Sequence, residues 1–163
     1  MTPLFKKLNL ADHRKILVVD APASFEPELQ ALDDVTIVRD LKHVSSVSFV
    51  IYFVTTLKAV SAAAKTLSKM TEDPVIWCAY PKASSKNYDC EFNRDNGWAA
   101  VGEVGFEGVR QVAIDADWSA LRFRRVEYIK KLKRDSSRSL TKKGKSRTGI
   151  PDETSCLTGT KKR

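Results

Sequence analysis

ILVVDAPASF, residues 16–25, is the stretch that indicates the fold class. An apolar strand that turns into a helix is typical of the start of an α/β nucleotide-binding sheet. That turn normally carries glycines, which let the backbone approach a pyrophosphate. Here the turn carries Ala21-Pro22 and no glycine. The stretch therefore predicts a Rossmann-like sheet without identifying a cofactor.

Strands and helices alternate in the rest of the predicted domain. Strands are predicted at residues 16–20, 35–38, 47–55, 75–80, 109–115 and 119–126. Helices are predicted at 25–32 with Ser24 as N-cap, at 57–70 capped by Thr55 or Thr56, and more weakly at 91–104. The unbroken apolar run at 49–54 is typical of a central strand that is buried on both faces. The spacing within 57–70 predicts a buried stripe of Leu57, Val60, Ala63, Ala64 and Leu67.

These elements predict one fold class. Helices between the early strands imply right-handed crossovers and a mainly parallel sheet. Residues 116–118 form a tight connection, so the last two strands are predicted to pair as an antiparallel hairpin. We therefore predict a single α/β, Rossmann-like sheet with a C-terminal hairpin, in a shortened class I methyltransferase-like topology. The sequence does not exclude a further strand near residues 41–46.

Charge divides the 163 residues into two parts, predicted as a domain at 1–129 and a tail at 130–163. The tail holds twelve Lys or Arg against three acidic residues, or +9, and the remainder holds sixteen against seventeen, or −1. Such a tail is typical of a solvated, flexible extension. The alternative is nonspecific attraction of Lys130–Arg163 to nucleic acid or acidic partners.

Membrane association and metal binding are not predicted. No stretch approaches the roughly 18 apolar residues of a membrane span, and residues 1–15 lack the apolar core of a signal peptide, so we expect a cytoplasmic protein. Cys78, Cys90 and Cys156 are too far apart to suggest a zinc site or a disulfide framework, and Cys78 is expected in the core. The sequence leaves the cofactor and the oligomeric state undetermined.

Candidate ligand-binding residues follow the predicted strands, because ligands of open α/β sheets bind outside the carboxyl ends of the strands. Lys82 and its neighbouring serines have the donors to bind an anion, although a solvated loop has the same composition. Asp40 stands where a ribose-binding carboxylate is often found. The full candidate set is Asp20, Ala21, Pro22, Asp40, Thr55, Pro81, Lys82, Ser84 and Ser85.

Four segments resemble a small family of bacterial proteins described as a domain of unknown function. They are ILVVDAPASFEPEL (16–29), FVIYFVT (49–55), VIWCAYPKASS (75–85) and VAIDADWSALRFRR (112–125). The resemblance covers about residues 4–125. It implies a Rossmann-like fold and brings no assigned activity with it.

Three functions stay open at this point. The chain lacks the GxSxG, HExxH and GxxxxGK[ST] motifs, so no catalytic residues are assigned and enzymatic activity is undetermined. The leading prediction is a degenerate methyltransferase-like domain. The alternatives are a binder of, or enzyme acting on, a small anionic or nucleotide-like ligand at the strand ends, and an adaptor that acts through the basic tail.

Overall fold

A computed structural model describes residues 1–129, and the predicted tail lies outside the described residues. The strands are β1 Lys15–Val19, β2 Thr36–Val38, β3 Phe49–Phe53, β4 Val75–Pro81, β5 Phe106–Ala113 and β6 Trp118–Arg125. The α-helices are α1 Pro3–Lys7, α2 Glu26–Gln30, α3 Leu57–Leu67 and α4 Ala99–Glu103. Short 3-10 helices occupy Ala23–Phe25, Leu41–Ser46 and Val126–Tyr128.

All six strands belong to one sheet in the order β2-β1-β3-β4-β6-β5. β1 pairs in parallel with β2 and β3, and β3 pairs in parallel with β4. β6 enters between β4 and β5 and is antiparallel to both. The predicted fold class is confirmed: the chain has a shortened methyltransferase-like sheet that ends in an antiparallel hairpin.

The core fills both faces of the sheet, and β3 lies at its centre with all five residues buried. Alternate side chains of β3 point to opposite faces. Phe49, Ile51 and Phe53 pack with the α1 and α2 residues, whereas Val50 and Tyr52 pack with α3 and α4. The unbroken apolar run at 49–54 therefore reflects two-sided burial, as predicted.

Several predicted boundaries are wrong for local reasons. Ser24 is not the N-cap of α2: a 3-10 turn at 23–25 comes first, and Phe25 caps α2 without a side-chain hydrogen bond. Thr56 does cap α3, because its Oγ1 accepts a 3.0 Å bond from the Ala59 N–H. Leu57 is 49% exposed and leaves the predicted stripe, since it lies in the first turn beyond the sheet.

Two further segments differ from their predictions. The helix predicted at 91–104 shrinks to α4, because Gly97 has φ +87° and interrupts the helix, with Phe92 packed directly against it. The segment at 41–46 is a 3-10 helix rather than a strand. The described chain is anchored at its end, since the Val126 N–H donates a 3.0 Å bond to the Gly105 carbonyl and Ile129 is buried. Across residues 1–129, the helices are too short or too polar to span a bilayer.

Candidate functional site

The candidate residues all follow strands that end at the same edge of the sheet. β1 to β4 are parallel, so their carboxyl ends share this edge, where antiparallel β6 begins. Three inter-strand spacings separate β2 from β4, so these two strands, which Asp40 and Lys82 follow, are about 14 Å apart across the sheet. The candidate residues therefore lie in a row along one edge of the sheet.

The turn after β1 is built without glycine. Asp20 has φ +58°, in the left-handed region that aspartate tolerates better than most residues. Ala21 and Pro22 are half-buried, and the Pro22 carbonyl accepts a 2.9 Å bond from the Phe25 N–H. Phe25 is buried and its ring lies 5.0 Å from that of Phe53. The turn is thus fixed by a proline and packed on an aromatic core.

The side chain of Asp40 is engaged within its own loop. Its Oδ1 accepts a 3.0 Å bond from the Lys42 N–H, which caps the 3-10 helix at 41–46, and its Oδ2 lies 3.8 Å from the Lys42 Nζ. A ribose hydroxyl would have to compete with this cap. The carboxylate in the ribose-binding position therefore has a structural role here.

A carboxylate of the chain itself lies at the N-terminus of α3. The Glu91 Oε1 accepts a 2.8 Å bond from the Leu57 N–H, and the Glu91 N–H donates to the Thr55 carbonyl at 3.1 Å. Helix N-termini attract anions through their free N–H groups and the helix dipole. Glu91 was not among the predicted site residues, because sequence periodicity placed it inside a helix and its partner Leu57 lies 34 residues away.

The loop after β4 is tied to the hairpin by Asp117. The Ser85 Oγ donates to Asp117 Oδ1 at 2.9 Å, and the Asn87 Nδ2 donates to Oδ2 at 3.1 Å. Lys82 adds a 2.7 Å bond from its N–H to the Asp117 carbonyl. The same Ser85 Oγ accepts from the N–H groups of Asn87 and Tyr88. The hydroxyl of Ser85, a predicted ligand-binding residue, therefore donates its hydrogen bond to a carboxylate of the chain itself.

Asp115 holds the tip of the hairpin in place. Its Oδ1 accepts 2.8 Å bonds from the N–H groups of both Asp117 and Trp118. Trp118 is 3% exposed and packs 5.2 Å from the Phe53 ring and 4.9 Å from the Tyr88 ring. Trp118 is therefore a core residue and does not offer a platform for a ligand.

An open groove of about 400 Å³ lies beside the loop after β4. Lys82 and Ser85 line it together with Asp89, Cys90 and Glu91. Two carboxylates against one ammonium group give the groove a lining that disfavours an anion. Burial raises the pKa of the Cys90 thiol, so it stays protonated near neutral pH and is a poor nucleophile.

The groove joins only part of the candidate set. Lys82 and Ser85 line it, whereas Asp20, Ala21, Pro22, Asp40 and Thr55 do not. Pro81 is the buried last residue of β4, and Ser84 is exposed in the following loop. Within the part of the chain that the structure describes, His, Cys, Asp and Glu form no group of three that could hold a metal ion.

Comparisons with known proteins add little to this geometry. No family model and no curated protein matches the chain. A solved structure from Sulfolobus solfataricus, provisionally described as a type 11 methyltransferase, is 11% identical with a TM-score of 0.43, over 69% of this chain and 84% of that one. The pyocyanin biosynthetic protein PhzM is 14% identical with a TM-score of 0.44, over 75% of this chain and 54% of its own length. At these values the similarities carry no argument about activity, and the strand order of the chain itself defines its fold.

Proposed function

We propose that the chain is a methyltransferase-like domain that has lost the cofactor site at its carboxyl edge and works without S-adenosylmethionine. The observation that supports it is the use of the edge's polar groups by the chain itself. Asp40 caps a 3-10 helix, Glu91 accepts a hydrogen bond from the Leu57 N–H at the N-terminus of α3, and Asp117 joins two loops. Membership of the bacterial family that residues 4–125 resemble belongs to this proposal, as does a cytoplasmic location.

A cofactor at this edge would have to displace those contacts. Removing a helix cap costs about 0.5–2 kcal/mol. A ligand carboxylate near α3 would also meet the negative charge of Glu91 where the helix dipole otherwise favours an anion by roughly 0.3–1 kcal/mol. The turn after β1 adds a steric limit, because Ala21 and Pro22 carry side-chain atoms where a glycine turn has none.

Isothermal titration with S-adenosylmethionine tests the proposal directly. We expect no binding at micromolar concentrations by the wild-type chain, beside a class I methyltransferase as positive control. The affinity for S-adenosylmethionine is also measured for Glu91→Ala, which frees the N-terminus of α3, and for the control Glu103→Ala, which changes an exposed glutamate of α4. Micromolar affinity of the wild-type chain would refute the loss of the site.

A small-ligand site is a second candidate, because the Lys82 ammonium group and Ser85 line a groove, although an anion there would also meet the carboxylates of Asp89 and Glu91. Nucleotides and phosphorylated metabolites can be screened by thermal shift. A ligand at 100 times its Kd that binds only the folded chain stabilises it by about 2.7 kcal/mol. The matched variants are Lys82→Ala in the groove and Lys69→Ala, an exposed lysine after α3. A ligand whose thermal shift is lost in Lys82→Ala but kept in Lys69→Ala would support this candidate. Equal thermal shifts of the two variants would exclude the groove as the binding site.

A third candidate is an adaptor that binds nucleic acid or an acidic partner through residues 130–163. The charge of +9 in these residues, beside −1 in the remainder, favours it. Binding through phosphate contacts should weaken with salt, with a slope of about −0.9 per contact on duplex DNA. Affinity that does not change with salt would contradict this adaptor role.

A further inference from the structure

Two arginines of the hairpin lie side by side on its neighbouring strands. Arg110 of β5 and Arg122 of β6 are directly paired in the strand register. Residues directly opposite in an antiparallel pair have Cβ atoms about 4.5–5.5 Å apart, and like charges in such positions are destabilising. The register therefore places two guanidinium groups on the same face at close range.

The neighbouring charges on this face are those of Arg124, Asp73 and Glu107. Arg124, two residues along the same face, makes bonds of 2.6–3.1 Å with the Asp73 carboxylate. Glu107, directly opposite Arg124, is fully buried. Within residues 1–129, neither Arg110 nor Arg122 forms an ion pair. Three arginines and the carboxylates of Asp73 and Glu107 therefore lie close together. Asp73 bonds to Arg124, and Glu107 is opposite Arg124 in the strand register.

Arg122 also has an unsatisfied donor. Its Nε is buried and has no hydrogen-bond partner among the described residues. Buried polar groups almost always have a partner, so this donor calls for one, and a water molecule or an ion could provide it. Burial, together with the charges of Arg124 and Arg110, lowers the pKa of the Arg122 guanidinium against the opposing effect of Asp73. Arg110 is exposed, which leaves the pair open to solvent on one side.

We propose that Arg110 and Arg122 form a binding site for a phosphate group. Two guanidinium groups offer planar sets of N–H donors that match phosphate oxygens, and the anion would relieve the repulsion between them. The site lies on the hairpin, away from the carboxyl ends of β1 and β2, and it does not rest on the proposed loss of the cofactor site. The phosphate has two sources: a small phosphorylated molecule or the backbone of a nucleic acid.

Inorganic phosphate is the first probe, titrated into the full chain at an ionic strength held constant with chloride. Arg110→Gln removes the exposed charge, and Lys58→Gln, an exposed lysine of α3, is the matched control. We expect Arg110→Gln to weaken phosphate binding about tenfold or more, and Lys58→Gln to leave it within about twofold, since removal of one surface charge acts weakly at a distance. Equal phosphate affinity of the two variants, or no binding by the wild-type chain, would overturn the site.

Thermal stability separates binding from a structural role. Without phosphate, Arg110→Gln should raise the melting temperature, because it removes a like charge from a cross-strand pair. This advantage should shrink as phosphate is added, since the anion stabilises mainly the wild-type chain. A melting temperature that falls equally at every phosphate concentration would mean that Arg110 only supports the fold, and the proposal would fail.

A labelled DNA duplex of mixed sequence distinguishes the two sources of phosphate. If the pair contacts a nucleic acid backbone, Arg110→Gln should reduce the slope of log affinity against log salt by about 0.9 relative to Lys58→Gln. If the ligand is a small phosphorylated molecule, the two variants should have the same DNA slope and differ only in phosphate affinity. If they differ in neither measurement, Arg110 has no part in phosphate binding and the proposal is wrong.

Discussion

Gly97→Ala should destabilise the chain more than any other glycine-to-alanine change at positive φ in the described residues. Gly97 has φ +87°, and a Cβ there would meet the Phe92 Cβ at 2.4 Å and its Cγ at 2.8 Å. The left-handed conformation costs a non-glycine residue about 1–2 kcal/mol. Overpacking typically adds about 1–3 kcal/mol, because the buried Phe92 ring packs 4.9 Å from Trp98 and 6.1 Å from Tyr80. We expect a loss of about 3 kcal/mol, or roughly 9 °C in melting temperature.

Gly105→Ala is the matched control for this prediction. Gly105 has φ +95°, but a Cβ at this position would meet nothing within 4 Å. Its substitution should therefore lose only the conformational part, about 1–2 kcal/mol. Urea unfolding followed by tryptophan fluorescence measures both variants, and the difference between them isolates the contact with Phe92. If Gly97→Ala is no more destabilising than Gly105→Ala, the Phe92 side chain does not pack closely against Gly97.

Three further predictions concern other parts of the molecule. The hydrogen bonds of Arg39 lower the pKa of Glu26 below its usual 4.5, so this pair should contribute stability above pH 4.5 and lose it as the pH falls through the lower folded value. Glu26→Gln should then destabilise at pH 7 and make no difference at strongly acidic pH, as measured by urea unfolding. Trp77→Phe should cost about 2–3 kcal/mol in the same assay, because it removes the buried 2.8 Å bond from Nε1 to the Leu8 carbonyl; a smaller loss would mean that water or another donor replaces it. If the tail is the adaptor, deleting residues 130–163 should abolish the tail's salt-dependent contacts with nucleic acid, leaving at most the contact of the hairpin arginines, and should leave the melting temperature nearly unchanged. A chain that unfolds on deletion would contradict the predicted domain boundary.

The sheet could be predicted from the sequence because burial leaves a local signal. The apolar runs of β1, β3 and β4 mark strands covered on two faces, and the turn residues at 115–118 mark the hairpin. The predicted start of β5 is three residues too late, because Gly108 weakens the strand pattern. A Cβ at Gly108 would lie 3.4 Å from the Leu121 side chain, so the structure has room for a larger residue there. The helix α1 was missed as well, because five residues are too short to show a helical period.

The carboxyl edge was harder to predict than the sheet, because its contacts join residues far apart in the chain. The sequence identified Asp20, Thr55 and Lys82 through their positions after strands, and the structure does place them at one edge. It could not show that Glu91 reaches Leu57 or that Asp117 reaches Ser85, since these pairs are separated by 34 and 32 residues. Whether the edge accepts a ligand depends on these long-range bonds.

The distribution of satisfied and unsatisfied polar groups bears on where binding should be sought. At the carboxyl edge, where open α/β sheets usually bind ligands, Asp40, Glu91 and Asp117 already have partners within the chain. On the hairpin, Arg122 has a buried donor without a partner among the described residues and faces the like charge of Arg110. Trp118 Nε1 at the carboxyl edge and Glu28 Oε1 are also buried without a partner there, so the like-charged pair is what sets the hairpin apart. Evolved structures rarely keep an uncompensated local conflict unless function requires it. The two titrations therefore make a paired test: S-adenosylmethionine should not bind, whereas phosphate should bind and lose affinity with Arg110→Gln. The opposite pattern would return the functional site to the carboxyl edge and leave the arginine pair as a feature of the fold alone.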